Sequence, residues 1–375
     1  MAFSRLNLFL ALLLLTPPHI LAHHPRKQPP QDHTTQNLVT TIPATTLSGP
    51  SLVQFTSNAS GLDGAKVSPI NGSVFDWWYF DAVSSDGLSS VVIIFFTLPS
   101  AAFPLDVSPD VVSISFSANF ANGSAFSTGL TATEAVIMTL GDGSVGRYVG
   151  ANASWWGGSD MEWYDVGINA PEAGVVGRLK LKSVAPAHYP CGPVGPGQDM
   201  QILPHVGWSN AVPDADAIAD FTLGGSPLAF SGPGYHDKNW GDQPFYSSVS
   251  SWYWGHGRLG PYSIVWFDAL DITGTEYVSS YVAFDGRIVT ATCSGISVRP
   301  TGANDTYPPT YSSGPPSGFY IEVDLGVEGV LQVNVTATVL TVAVEGLYYR
   351  WTGTLEGGVK GGEVLSGAAL WEEFP

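Results

Sequence analysis

Hydrophobic and polar residues alternate with a period of two along much of the chain. Over residues 112–120, apolar side chains alternate with serine and asparagine, and Asn122-Gly123 follows as a hairpin turn signal. The same alternation recurs over residues 333–339, where Asn334 lies on the polar face. These patterns predict strands with one face buried and the other face in solvent.

Further strands are predicted where apolar runs end at turn residues. The Val, Ile and Phe run at residues 90–97 indicates a strand buried on both sides. Asp285-Gly286 separates two such runs as a hairpin turn. The full set of predicted strands adds residues 277–284, 288–293, 320–325, 348–355 and 364–371, with one short helix at residues 213–221. Because 43 glycines and 28 prolines punctuate these short elements, the chain is predicted to be all-β.

Composition divides the 375 residues into segments. Residues 1–22 carry Arg5 and a leucine-rich run shorter than the ~20 residues of a membrane span, which predicts a signal peptide. Residues 23–50 are rich in Pro, Gln and Thr and are expected to form a disordered arm. Pro-rich and Gly-rich sequence before residue 230 predicts a boundary between an N-terminal β domain, 51–230, and a C-terminal β domain, 231–375.

Charge and cysteine content restrict partners and compartment. The formal net charge of -18 disfavours nucleic acid and anionic membrane surfaces as partners, and no stable membrane insertion is expected. Cys191 and Cys293 are expected to form one disulfide that joins the two halves, with a pair of buried free thiols as the alternative. The predicted signal peptide favours a secretory pathway protein, either secreted or in a vesicular or vacuolar lumen.

Acceptor triplets for N-glycosylation support the same compartment. Six asparagines precede x-Ser/Thr, and glycosylated asparagines must face solvent. They are Asn58, Asn71, Asn122, Asn152, Asn304 and Asn334.

Chemically dense segments indicate a small-molecule site. The run Gly234-Tyr235-His236-Asp237-Lys238-Asn239-Trp240-Gly241 lies in a chain with only 12% charged residues. In extended backbone, His236 and Lys238 share one face, and Asp237 and Asn239 share the other. Aromatic segments at 76–81 and 252–256 could line one apolar chamber with this run. A structural corner, with its polar groups tying turns together, is the alternative reading of the run.

Several other chemistries lack their sequence motifs. There is no His-Glu-x-x-His, no Cys-x-x-Cys, no Gly-x-Ser-x-Gly and no phosphate-binding glycine loop. We therefore expect no metal and no cofactor. Acid, base and hydrogen-bonding chemistry inside an aromatic pocket remains, with apolar small molecules as the expected substrates.

Three segments carry a family resemblance. Trp77-Trp78-Tyr79-Phe80-Asp81, the run from Gly234 to Gly241, and Trp252-Tyr253-Trp254 followed by Gly260-Pro261-Tyr262-Ser263 resemble the carotenoid 1,2-hydratase (hydroxyneurosporene synthase) group and related fungal Diels-Alderases. The resemblance implies two lipocalin-like β domains, barrels or sandwiches, packed together with a pocket at or near their junction. It implies a cofactor-independent Diels-Alderase-type cyclase of fungal secondary metabolism.

Because of the signal peptide and the acceptor triplets, the chain most resembles the secreted hetero-Diels-Alderases of tropolone sesquiterpenoid biosynthesis. That likeness implies cycloaddition of a tropolone-derived ortho-quinone methide to a humulene-type sesquiterpene, helped by positioning and a hydrogen-bond donor. An isoprenoid hydratase or dehydratase and a non-catalytic carrier of an apolar metabolite are the alternatives.

Residue chemistry and the resemblance together suggest roles. His236 or Lys238 is assigned as the donor, and Asp237 as its orienting partner or as a proton acceptor. The substrate-binding residues are expected to be Trp78, Tyr235, Asn239, Trp252, Trp254, His256, Tyr262 and Trp266.

Overall fold

Strands dominate the computed structural model, which describes residues 38–103, 105 and 108–375. The expected signal peptide and residues 23–37 of the expected arm lie outside the described residues. The arm prediction is corrected beyond that point, because β1 (Val39–Pro43) pairs with a strand at Glu134–Leu140 and buries Ile42 in the core. No helix in the described part of the chain is long and apolar enough to cross a membrane.

The first large sheet has fifteen strands and curls into a half-barrel. Its strand order is β1-β8-β9-β10-β11-β12-β16-β17-β4-β5-β6-β7, with β13, β14 and β15 attached around β16. The small β2–β3 pair stands apart. The bounds are β2 Leu52–Val53, β3 Val67–Ser68, β4 Phe75–Val83, β5 Ser90–Thr97, β6 Val112–Asn119, β7 Ala125–Thr131, β8 Glu134–Leu140, β9 Gly143–Val149, β10 Ala153–Gly157, β11 Trp163–Ala170, β12 Val175–Ser183, β13 His188–Tyr189, β14 Gly192–Pro193, β15 Gln201–Leu203, β16 Val206–Leu223 and β17 Ser226–Gly241.

The second sheet has nine strands in the order β21-β20-β19-β18-β26-β25-β24-β23-β22. Because the two edge strands are consecutive in sequence, this sheet also curls back on itself. Its bounds are β18 Val249–Leu259, β19 Tyr262–Asp271, β20 Glu276–Phe284, β21 Arg287–Thr292, β22 Ile296–Thr301, β23 Gly318–Asp324, β24 Val330–Val344, β25 Tyr348–Val359 and β26 Leu365–Phe374. Short 3-10 turns occur at Ser100–Ala102, Pro171–Ala173, Phe245–Ser247 and Gly326–Glu328. The all-β, lipocalin-like prediction is confirmed.

Three hydrophobic cores follow from the two-residue alternation of these strands. One core fills the first sheet, one fills the second, and a third lies between the sheets. Strand β18 serves two of them, because Trp252 and Trp254 enter the core between the sheets while Tyr253 enters the second sheet. Gly255 leaves room there, since a Cβ would lie 2.3 Å from the Trp266 ring.

One sequence prediction of secondary structure is wrong. Residues 213–221 were expected to form a helix, but they lie within β16. Ala215, Ala217, Ala219 and Phe221 are buried, while the residues between them are exposed. This is the period of a strand, and pairing with β12 and β17 on both sides satisfies its backbone.

The change from one sheet to the other falls between β17 and β18. Residue 230 itself lies inside β17, and the described residues from 38 onward form one compact unit. A domain division at residue 230 therefore stays a prediction. The expected disulfide is present, because Cys191 pairs with Cys293 across 102 residues and joins the β13–β14 turn to the end of β21.

Candidate functional site

A cavity of about 640 Å³ lies between the two sheets. Strands β4, β5, β6, β7 and β17 form its floor, and β18, β24, β25 and β26 form its roof. Aromatic side chains line its centre and polar groups lie at its ends, which is typical of a small-molecule site. The apolar part includes Trp77, Tyr79, Phe96, Trp252, Trp254 and Phe374.

The strand register arranges the floor in rows. Asn239 pairs with Trp77, which pairs with Phe96, and Asp237 pairs with Tyr79 in the next row. These strands are buried on both faces. Alternate residues therefore point into the interior of the curled first sheet, called the first barrel below, and into the cavity. The cavity therefore receives Asp237 and Asn239 from β17, and the barrel receives the residues between them.

Asp237 is the acidic group of the floor. Its Oδ2 accepts hydrogen bonds from Trp208 Nε1 at 2.7 Å and from the Tyr235 hydroxyl at 2.8 Å. Burial raises the pKa of Asp237 to about 7, although both hydrogen bonds favour the charged form. A carboxyl group with this pKa can donate a proton near neutral pH, and the two donors then stabilise its carboxylate.

The roof places a buried ion pair opposite the floor. Arg350 donates from Nε to Glu372 at 2.8 Å, and its Nη1 donates to the Ser117 hydroxyl on the floor at 3.1 Å. Phenol rings stand beside this pair, since the Arg350 guanidinium carbon lies 5.4 Å from the ring centre of Tyr348 and 5.8 Å from that of Tyr79. The ring of Trp254 meets Tyr79 edge-on at 5.2 Å. Arg350 thus connects the roof to the floor.

Several polar atoms in the cavity wall have no hydrogen-bond partner among the described residues. They include Asn239 Nδ2, the Tyr79 hydroxyl, Trp252 Nε1 and the Ser113 hydroxyl. All four side chains are at most 5% exposed. A buried donor without a partner is costly, so this wall is suited to a ligand that carries hydrogen-bond acceptors.

His236 and Lys238 lie on the other face of β17, inside the first barrel. The His236 ring stacks on Phe80 at 3.9 Å, and its Nε2 lies 3.1 Å from Asp63 Oδ1. Lys238 forms a fully buried ion pair with Asp76. Neither side chain lines the cavity, so the predicted donor role does not fit their position.

The Trp78 side chain also lies inside the first barrel, beside Lys238. It enters the first core and donates from Nε1 to the Asp63 carbonyl. The Lys238 ammonium lies 4.4 Å from its ring centre. The expected placement of Trp78 in the chamber wall is corrected by the alternation of β4, which sends Trp77 and Tyr79 to the cavity instead.

The other predicted binding residues divide among three places. Asn239, Trp252 and Trp254 line the cavity. Tyr235 and His256 stack on each other behind it at 4.4 Å, and His256 Nε2 contacts Asp81 Oδ2 at 2.9 Å, which links the two sheets. Tyr262 and Trp266 pack in the second barrel, so they do not contribute to this cavity.

Sequence reasoning found the β17 and β18 residues of the cavity but missed the rest of the floor and the part of the roof on β24, β25 and β26. Trp77 and Tyr79 lie on one face of β4 and Trp78 lies on the other. The sequence shows this alternation but does not show which of the two faces turns toward the cavity. Arg350 could have been found as a charge inside the predicted strand 348–355, whereas Glu372 lies one residue beyond the predicted strand 364–371 and gave no such signal. Among the described residues, no three His, Cys, Asp or Glu side chains are grouped so that they could hold a metal ion.

Comparison with known proteins identifies the family. A family model described as Diels-Alderase-like matches residues 34–313. The quinolone epoxide rearrangement protein penF of Penicillium thymicola is 38% identical over 337 residues, 86% of this chain and 91% of that protein. The protein of the same description from Emericella nidulans, asqO, is 36% identical over 331 residues, 87% of this chain and 90% of that protein.

A solved structure has the same fold. The crystal structure of CghA with Sch210972 matches with a TM-score of 0.73 at 16% identity, covering 90% of this chain and 98% of that chain. This similarity concerns the fold alone, whereas the family model and the two relatives cover most of the sequence. The chain belongs to the Diels-Alderase-like family and is an enzyme of the Diels-Alderase type.

Proposed function

We propose that this enzyme rearranges or cyclises an aromatic small molecule by protonating one of its oxygen atoms, with a quinolone epoxide as the substrate class. The observation that carries the proposal is Asp237, a buried carboxyl group in the cavity wall with a pKa of about 7. The names of the two relatives at 36% and 38% identity support the substrate class.

Asp237 is the catalytic acid in this proposal. Its proton moves to the epoxide oxygen while one C–O bond breaks, leaving an electron-deficient carbon. A neighbouring C–C or C–H bond migrates to that carbon, and the hydroxyl proton returns to the Asp237 carboxylate as a carbonyl forms. The reaction is an isomerisation, so its atoms and electrons balance without a further reactant.

The aromatic walls support the same step. Developing positive charge on the substrate is stabilised by nearby ring faces, and Trp77, Trp252 and Trp254 surround the cavity. The hydrogen bonds from Trp208 and Tyr235 stabilise the carboxylate that remains after proton transfer. In this proposal, the aromatic walls also keep water away from the cationic intermediate and so protect it from hydrolysis.

A second candidate is the hetero-Diels-Alder addition of a tropolone-derived ortho-quinone methide to a humulene-type olefin. The cavity volume of about 640 Å³ favours it, because two reactants can be held together there. Asp237 would protonate the hydroxymethyl group of the tropolone as water leaves, and the ring hydroxyl would give its proton back to the carboxylate, which leaves the neutral quinone methide. The same residue therefore serves both candidates, and only the substrates distinguish them.

Product analysis tests the proposal. Purified enzyme is incubated with a quinolin-2-one that carries an epoxide, and separately with a hydroxymethyl tropolone and humulene, followed by chiral chromatography. We expect at least a hundredfold acceleration over buffer for the epoxide. A chiral adduct in the second reaction alone would favour cycloaddition. Binding of the substrates without turnover in either reaction would indicate a carrier instead of an enzyme.

We also propose that the enzyme works in the secretory pathway. The paired cysteines support this location, as do exposed acceptors at Asn58, Asn122, Asn152 and Asn334. The other two acceptors, Asn71 and Asn304, donate their amide groups to backbone carbonyls. Mass spectrometry of the protein from its native host is expected to find glycans at the first four positions before the last two.

A further inference from the structure

The cavity floor changes character from one side to the other. On β17 it presents Asp237 and Asn239, and across β4 and β5 it presents aromatic and aliphatic groups. On β6 and β7 it presents hydroxyl groups. The strand register makes the order explicit in one row, which runs Asn239, Trp77, Phe96, Ser113 and Thr131.

The hydroxyl side is remote from the acid. Three interstrand steps separate β17 from β6, which corresponds to about 14 Å. The hydroxyl groups there belong to Ser113, Ser115, Ser117, Ser127 and Thr131. The sequence pattern predicted that this face of β6 is in solvent. The structure corrects that expectation in part, because Ser113 and Asn119 are buried and Ser117 is half-buried, whereas Ser115 is exposed. The neighbouring Ser127 and Thr131 on β7 are exposed as well.

Among these hydroxyl groups, that of Ser113 is the one suited to bind a ligand. Its side chain is 4% exposed, lines the cavity, and its hydroxyl oxygen has no hydrogen-bond partner among the described residues. Ser117, in contrast, accepts a hydrogen bond from Arg350. A buried hydroxyl without a partner is destabilising, so a group that enters the cavity and hydrogen-bonds to it is favoured.

We propose that the β6–β7 side of the cavity is a distal subsite that binds an oxygen-bearing tail of the substrate, about 14 Å from the group that Asp237 protonates. The inference rests on the proposed function for the identity of the reacting end. The ligand class is an elongated molecule with an aromatic or aliphatic middle and an oxygen function at each end. The aromatic centre of the floor accommodates the middle.

Such a subsite selects among substrates. Binding energy from a part of the substrate that does not react can hold the reacting part in position against the acid. A substrate without the distal oxygen leaves Ser113 buried and unpaired in the complex, and it binds less well for that reason. The distal subsite thus distinguishes long oxygenated substrates from short apolar ones.

Calorimetric titration with two unreactive probes tests the inference. The probes are 6-hexylquinolin-2-one and 6-(6-hydroxyhexyl)quinolin-2-one, which differ only in the terminal hydroxyl. Both are titrated into the wild type, Ser113→Ala, Thr131→Val and a surface control, Ser366→Ala. In the wild type we expect the hydroxylated probe to bind about fivefold tighter than the hexyl probe.

The test depends on the ratio of the two dissociation constants, that of the hexyl probe over that of the hydroxylated probe. The preference for the hydroxyl group that this ratio measures is expected to disappear in Ser113→Ala and to fall in Thr131→Val, while the control keeps the wild-type preference. An equal preference in wild type and Ser113→Ala overturns the distal subsite, and so does failure of both probes to bind. Turnover of the epoxide is measured separately, so a chain that binds with the expected preference but has no turnover would contradict only the proposed reaction.

Discussion

The two faces of the β17 segment from Gly234 to Gly241 contrast within one stretch of chain. On the barrel face, Lys238 forms a fully buried ion pair with Asp76, so its charge is paired inside the protein. His236 hydrogen-bonds through Nδ1 to the Tyr79 carbonyl at 2.9 Å. On the cavity face, Asp237 keeps a pKa of about 7 and Asn239 Nδ2 has no partner among the described residues. Lys238 and Asn239, which are neighbours and are both buried, therefore differ in whether the protein itself completes their interactions.

This difference separates stability from function. A buried ion pair that the fold completes mainly holds strands in register, and its loss is felt by the whole barrel. A buried donor or acid that the fold leaves incomplete is available to a ligand. The structural-corner reading of the run thus applies to its barrel face, and the site reading to its cavity face.

Replacing Lys238 by methionine should give the largest effect on the folded state. The change removes the ion-pair partner of the buried Asp76 carboxyl group, and we expect the free energy of unfolding to fall by about 3–5 kcal/mol. Urea denaturation followed by circular dichroism measures it. The double variant Asp76→Asn, Lys238→Met should recover most of the loss, and Lys360→Met on the surface is the matched control. Unchanged stability would remove the distinction between the faces.

Replacing Asp237 by asparagine should give the opposite result. The amide oxygen still accepts from Trp208 and Tyr235, so the melting temperature should be unchanged or slightly higher. The proton for the substrate is lost, and we expect kcat to fall by about 10²–10⁴. Single-turnover assays and thermal unfolding on the same preparations check both parts. Full activity in this variant would show that another group supplies the proton.

The sequence predicted the fold more fully than the site, for a physical reason. Alternation is local, so strands such as β5 and the opposed faces of β17 follow from neighbouring residues. Which face meets a cavity depends on how the sheets pack, and Lys238 meets Asp76 across 162 residues. The same limit explains Trp266, whose strand pairs with that of Trp254 but which faces the second barrel.

The dependence of kcat/KM on pH tests the role of Asp237 on the cavity face. Only the protonated form of Asp237 can act as the acid, and burial raises its pKa from 3.8 to about 7. We expect kcat/KM to be constant below about pH 6 and to fall about tenfold per unit above pH 7. In the variant Lys360→Met the same profile should appear. A profile that rises through pH 7 would assign Asp237 the role of a base.

The same group links pH to stability. Since its folded pKa lies above the unfolded value of 3.8, the folded state keeps a proton that the unfolded state loses. Its stabilising contribution is complete below about pH 3.8 and declines as pH rises to about 7. Chemical denaturation at pH 5 and pH 8 should show this decline in the wild type and a smaller one in Asp237→Asn.

Replacing Asn239 by leucine should give the smallest effect, confined to binding. The side chain keeps its approximate shape but loses the Nδ2 donor, which has no hydrogen-bond partner among the described residues. Because only a ligand contact is removed, we expect KM to rise about fivefold to thirtyfold with kcat nearly constant and the melting temperature unchanged. Asn169→Leu, an exposed position on β11, is the matched control. A collapse of kcat at constant KM would instead place Asn239 in the chemical step beside Asp237, and no change in either constant would place the substrate away from this end of the floor.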